Sequence, residues 1–157
     1  MSNGFILDLT GNGNVFQNID SFGTAISAPT AFAGGTANSR GDDGGTSDPF
    51  TLFTVTGDVL VRIFGVCTTL LAGATATLEV GVTGNTAALI ALTTATEIDA
   101  NELWNDTTPG VGTDTLANIT GPHVIVNGLD IIETVATADI TSGQIYYVCL
   151  WRPLSRD

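Results

Sequence analysis

Ala74-Thr75-Ala76-Thr77-Leu78-Glu79-Val80-Gly81-Val82-Thr83 is the stretch from which the fold is read. A period of two sends Ala76, Leu78, Val80 and Val82 to one side and Thr75, Thr77, Glu79 and Thr83 to the other, the pattern of a half-buried strand. Gly84-Asn85 is a tight-turn pair, and Thr86 to Thr93 runs back as the second strand of a hairpin. Outward from the hairpin the same grammar repeats. Phe50 to Val55 is a short strand stopped by Thr56-Gly57-Asp58, and Val59 to Thr68 is a longer one, apolar on both faces. His123 to Val126, Asp130 to Thr137 and Gln144 to Trp151 follow, separated by Asn127-Gly128 and Thr141-Ser142-Gly143. Between the two groups, Asp99 with Glu102 three residues on is a capping pair that predicts one helical turn within residues 96–104, and residues 105–122 are a polar loop. Many short strands punctuated by turn residues predict an all-β fold, a β-sandwich or jelly roll over residues 49–157.

Composition agrees. The chain of 157 residues has 43% apolar and only 13% charged residues, with 16 acids against 4 bases and a net charge of -12. All four bases are arginine (Arg40, Arg62, Arg152, Arg156), and lysine is absent. Abundant Thr, Val and Ile suit a pleated sheet, while the residues that fill exposed helix faces are scarce. A chain this acidic lacks the cations that neutralise phosphates, so neither nucleic acid nor an anionic membrane is expected as a direct partner. The first residues lack the basic and apolar regions of an export signal, so Cys67 and Cys149 are expected as reduced thiols in the core.

Residues 1–48 read differently. They are rich in Gly, Asn, Ser and Ala, and within them only Phe5-Ile6-Leu7-Asp8-Leu9 has strand character. Phe16, Phe22 and Phe32 stand at spacings that fit neither a strand nor a helix. Ordering each residue costs about 1–2 kcal/mol of backbone entropy, whereas each buried Phe returns about 1.5–3 kcal/mol. The expectation is an N-terminal arm over residues 1–48, loosely packed in the free protein, with Phe5, Phe16, Phe22 and Phe32 as anchors that dock on a partner. The second apolar face of strands such as Gln144 to Trp151 also needs a cover. A neighbouring subunit is expected there, with Tyr146, Tyr147 and Trp151 at the interface.

Catalytic patterns are missing from the sequence. His123, the single histidine, has no Gly-x-Ser-x-Gly elbow to work with, and reads as a strand-edge residue. Three scattered Cys and His residues are too few for zinc, and no metal is expected. Asp42, Asp43 and Asp48 form one carboxylate cluster, and Asp99, Asn101, Glu102 and Asp106 form another. The second lacks the sharp glycine of a calcium loop, and both read as caps and turns. No carboxylate pair faces across strands for glycosidase chemistry, and Gly11-Asn12-Gly13 fails the dinucleotide fingerprint. No cofactor and no enzymatic activity are expected. Arg40-Gly41-Asp42 spells an adhesion tripeptide, which a Gly/Asp-rich loop produces by chance. Trp104, Tyr146, Tyr147 and Trp151 read either as a sugar platform or as core and interface aromatics, the second being the expectation.

Four segments resemble structural proteins of tailed bacteriophages: Thr51 to Cys67, Val80 to Leu89, Ile98 to Trp104 and Cys149 to Leu154. The resemblance implies a virion component, and within that class a capsid decoration (cement) protein, often a trimeric β-sandwich with extended arms. It would sit on the outer surface of the capsid, with the major capsid protein and further copies of itself, as a homotrimer, for partners. A net charge of -12 also favours the outside of the head, since the inner wall faces packed DNA. The alternative is a phage tail protein, either a tail subunit or a sugar-binding receptor-recognition tip.

Overall fold

The computed structural model describes residues 22–111 and 121–154. These form ten strands: β1 (Gly23–Ile26), β2 (Phe50–Phe53), β3 (Val59–Ala72), β4 (Thr77–Val82), β5 (Asn85–Thr94), β6 (Glu102–Trp104), β7 (Gly110–Val111), β8 (His123–Ile125), β9 (Ile131–Ala136) and β10 (Ser142–Pro153). They make two antiparallel sheets. The first runs β1-β10-β3-β6-β7, with β8 also pairing β3, and the second runs β2-β9-β4-β5. The predicted all-β, sandwich-like fold is what the chain adopts.

Alternation builds the layers. Val59, Val61, Ile63 and Cys67 of β3 are buried, as are Ile145, Tyr147 and Cys149 of β10. Leu78 and Val80 of β4, Ile90 of β5, and Ile131 and Val135 of β9 meet them from the second sheet. The expected β4–β5 hairpin forms, but it turns at Thr83-Gly84, one residue before the expected Gly84-Asn85 pair, with Val82 opposite Asn85 and Gly84 at φ 89°. At the centre of the first sheet, Gly65 lies opposite both Tyr147 and Trp104. A Cβ at Gly65 would approach Ile145 Cδ1 to 2.7 Å and Tyr147 Cε1 to 3.2 Å. The glycine therefore leaves room for Ile145 and the Tyr147 ring, whose centroid stands 6.2 Å from that of Trp104.

Two expectations change. The predicted helical turn within 96–104 is a 3-10 turn at Ala95–Glu97 followed by strand β6. The capping pair exists in part: Glu102 accepts a hydrogen bond from the Asp99 N–H at 2.8 Å. It closes a chain reversal instead of starting a helix, because Asn101 takes φ 70° and Trp104 is drawn into the core beside β3. The larger change concerns residues 22–48 of the expected arm, which are built into the sandwich. β1 pairs β10 from Gly23↔Trp151 to Ile26↔Val148. Phe32 donates its N–H to Gly143, Gly34 to Ile140, and Ile140 returns one to Gly41. Phe32 is 3% exposed and belongs to the core. Residues 1–21, with Phe5 and Phe16, lie outside the described residues.

Candidate interaction surface

Register sets out the outer face of the first sheet in four cross-strand rows: Ile26–Val148–Phe64, Thr24–Leu150–Arg62, Tyr146–Val66–Leu103 and Arg152–Leu60–Val124. Nine of these twelve positions are large and apolar, and none is a carboxylate. Neighbours half-bury most of them, but Ile26 is 64% and Val124 59% exposed. The outer face of the second sheet is unlike it. Its rows over β2, β9 and β4 are Thr77–Ala136, Glu79–Thr134 and Gly81–Ile132–Thr51, small or polar except for Ile132, which is 4% exposed, and the edge strand β5 adds one large exposed apolar side chain, Leu92 at 48%. A sandwich exposed equally on both sides would have the polar pattern twice. One broad apolar face on an otherwise acidic domain marks an interaction surface.

An apolar groove of about 530 Å³ opens where β1 and β2 approach each other. Ala25, Leu52, Phe53, Val61, Ile131 and Cys149 line it, Trp151 flanks it, and its polar lining residues are Thr54 and Thr56. Gly23 lies beneath the Trp151 ring, where a Cβ would come within 2.7 Å.

Behind the face lies a buried ionic network. The Arg40 guanidinium donates from Nε to Glu133 Oε1 at 2.8 Å and from Nη2 to Oε2 at 2.5 Å. Its Nη1 donates to the carbonyls of Thr30 and Ile145. The Tyr147 hydroxyl donates to Glu133 Oε2 at 2.6 Å. The guanidinium also lies over the Phe32 ring at 4.2 Å and near that of Phe50 at 5.3 Å. Burial alone would lower the Arg40 pKa, but the facing Glu133 carboxylate reverses this, and the net shift is upward. Tyr147 is pushed well above its ordinary value, first by burial and then by the same carboxylate.

The other sequence-predicted residues are dispersed. Tyr147 is fully buried, which takes it out of the set available to a partner. Phe32 is likewise sealed under Arg40 and is no free docking anchor. Phe22 is half-buried with Arg152 5.6 Å from its ring centroid. Tyr146 lies on the outer face and Trp151 is 38% exposed at the groove. A sugar platform of Trp104, Tyr146, Tyr147 and Trp151 is not assembled, because Trp104 and Tyr147 are buried, with Trp104 Nε1 donating to Thr93. Arg40-Gly41-Asp42 cannot act as an adhesion tripeptide while its arginine is ion-paired in the core.

The carboxylate clusters tie turns together. Asp42 accepts from Asn38, Asp48 from Val135 and Asp106 from Thr108. Among the described residues no group of three or more His, Cys, Asp or Glu side chains could hold a metal ion, and no helix is long and apolar enough to cross a membrane. His123 opens β8 half-buried, and burial lowers its pKa.

Cys67 and Cys149 are free and buried. Their strands are neighbours, but Cys67 faces Ile145 and Cys149 faces Ile63, so the thiols do not oppose one another. Burial raises Cys67 to about 11 and Cys149 to about 12, from an ordinary value of 9.0. Tyr147 is raised as well, so the folded chain retains protons that the unfolded chain releases. The stabilisation is therefore complete below about pH 9 and is lost as pH rises toward 12. Urea midpoints should hold between pH 7 and 9 and fall steadily above, and Cys149→Ala should make that fall shallower. A flat profile to pH 11 would contradict it.

Sequence reasoning missed the Arg40–Glu133 pair. Two signals were present: a lone arginine in the first 61 residues, and a carboxylate at an inward position of the apolar run Ile131-Ile132-Glu133-Thr134-Val135. Comparison with protein-family models, with characterised proteins and with solved structures found no match to this chain.

Proposed function

We propose that this protein is a non-enzymatic component of a tailed-bacteriophage virion, a capsid decoration protein that binds the outer face of the head and bridges subunits of the major capsid protein. The observation that supports the reading most is the uneven surface: a broad apolar face on one sheet, against mainly small and polar groups with a single exposed Leu92 on the other. Such a domain is suited to be covered in an assembly, and its acidity suits the outside of a DNA-filled shell. The four segments that resemble phage structural proteins point the same way. Phe5, Phe16 and Phe22 are the proposed shell contacts. Several weak contacts of this kind bind firmly when subunits act together, because effective concentration multiplies their hold.

Immunogold electron microscopy of virions, with antibody against this chain, tests the assignment. Label over the whole head is the expected result. Label confined to the tail would end the decoration reading in favour of a tail subunit or receptor-recognition tip.

A further inference from the structure

We infer that Phe5-Ile6-Leu7-Asp8-Leu9 of the same chain docks in the groove between β1 and β2, as an added strand along the open edge of β1. Among the described residues no charged side chain lines this groove, and Thr54 and Thr56 are its polar members. Its volume of about 530 Å³ suits several large apolar side chains. One wall is the inner face of the first sheet, which ends at this edge in two small residues. Gly23 and Ala25 stand opposite Trp151 and Cys149 and leave the space beside them open. The edge also offers hydrogen bonds. The Ser27 N–H donates to the Tyr147 carbonyl at 2.9 Å, so alternation turns Gly23 and Ala25 toward β10 as well. The N–H and C=O groups of Thr24 and Ile26 then point away from β10, and among the described residues no strand pairs that edge. An apolar cleft beside an open strand edge is what an extended peptide enters by strand addition.

Pattern and tether single out the occupant. Within residues 1–21 only Phe5 to Leu9 alternates, with Phe5, Leu7 and Leu9 on one side and Ile6 and Asp8 on the other. Three large apolar side chains at every second position match a cleft beneath a strand edge, and the Asp8 carboxylate is left in water. Residues 10–22 join this segment to the Gly23 end of β1. They reach up to about 43 Å when extended, against about 14 Å for the length of β1, so the tether allows the return. Folding back antiparallel needs no crossover, and it puts Ile6 on the outer face that carries Ile26, 64% exposed. A short tether also supplies the segment at an effective concentration of about 1 mM, which favours it over a free partner. In the free chain Phe5 is thereby withheld from the shell contact proposed above, and shell binding must first draw the segment out. The inference concerns the free chain and stands whether or not the protein binds a capsid.

Tryptophan fluorescence of the full chain tests it. Trp151 flanks the groove, and Trp104, the other tryptophan, is fully buried and stays silent. In wild type Trp151 should be shielded from acrylamide, and dilution from about 50 to about 1 µM should not change that. A Phe5→Glu/Leu7→Glu chain should emit further to the red and be quenched more strongly. A synthetic peptide of residues 2–11, added to that variant at about 1 mM, should restore the wild-type emission and shielding. Restoration requires an intact groove, so it also shows that the variant is folded. The same peptide should leave wild type unchanged, because its groove is already filled. Equal quenching of the two chains would overturn the inference, as would a peptide that alters wild type or has no effect on the variant. Shielding lost on dilution would overturn it too, since the occupant would then come from another molecule.

Discussion

A Glu133→Ala chain is expected to lose about 3–5 kcal/mol of stability, a fall in thermal midpoint of roughly 6–20 °C. The side chain removed is 1% exposed and accepts three hydrogen bonds, two from Arg40 and one from Tyr147. Without it, the Arg40 guanidinium stays in the core at 5% exposure with only carbonyl oxygens and aromatic faces around it. An unpaired buried charge costs more than the pair contributes, which makes the single substitution severe. The same physics predicts rescue. Arg40→Met with Glu133→Leu removes both charges and fills the space with apolar atoms, so the double variant should recover much of the loss, stopping short of wild type by about 1–3 kcal/mol because the Tyr147 hydroxyl is left without its acceptor. Guanidinium denaturation of the singles and the double gives the coupling energy. If Glu133→Ala alone melted within about 2 °C of wild type, the network would be contributing nothing.

The second large effect follows from the placement of residues 22–48. A chain lacking residues 2–45 is expected not to unfold cooperatively at all, although the arm reading predicts a stable domain after that deletion. The deletion strips β1 from β10, removes the buried Phe32 ring and takes Arg40 from Glu133. Loss of Phe32 costs about 1.5–3 kcal/mol, and the orphaned Glu133 about 3–5 kcal/mol more. These losses alone take about half or more of a mid-range domain stability of about 5–15 kcal/mol, and the missing β1 ladder adds to them. Deleting residues 2–20 instead spares all three contacts, and that chain should keep its cooperative melt. Differential scanning calorimetry of both deletions checks the contrast. A sharp transition for the longer deletion would return residues 22–48 to the status of an arm.

The local rules governed what alternation can express. Period-two runs, turn pairs such as Asn127-Gly128, and β-branched composition determined the strands and hence an all-β sandwich. The inward row of β4 follows from the same pattern, since a strand's two faces are decided by residue parity alone, whereas parity could not choose between the two apolar faces of β3 and β10. That several strands are apolar on both sides was also legible. Which sheet carries the uncovered face was not, because it depends on how the strands are ordered: Val148 gains Phe64 and Ile26 as row neighbours only after β1, β10 and β3 pair.

Tertiary structure decided the rest. Entropy counted segment by segment made residues 22–48 an arm, since their own side chains cannot offset their ordering. The compensation lies far along the chain, in Glu133, 93 residues from Arg40, and in β10. Long-range partners leave no periodic trace in sequence, and an arginine reads as a surface residue until its carboxylate is known. Trp104 shows the same limit on a smaller scale. A capping pair three residues apart is a local helix signal, yet pairing with β3 opposite Gly65 holds the tryptophan in a strand. Local pattern thus determined which residues form strands, and only the packed chain decided which polar groups those strands could bury, because a buried charge is settled by the partner it meets in space.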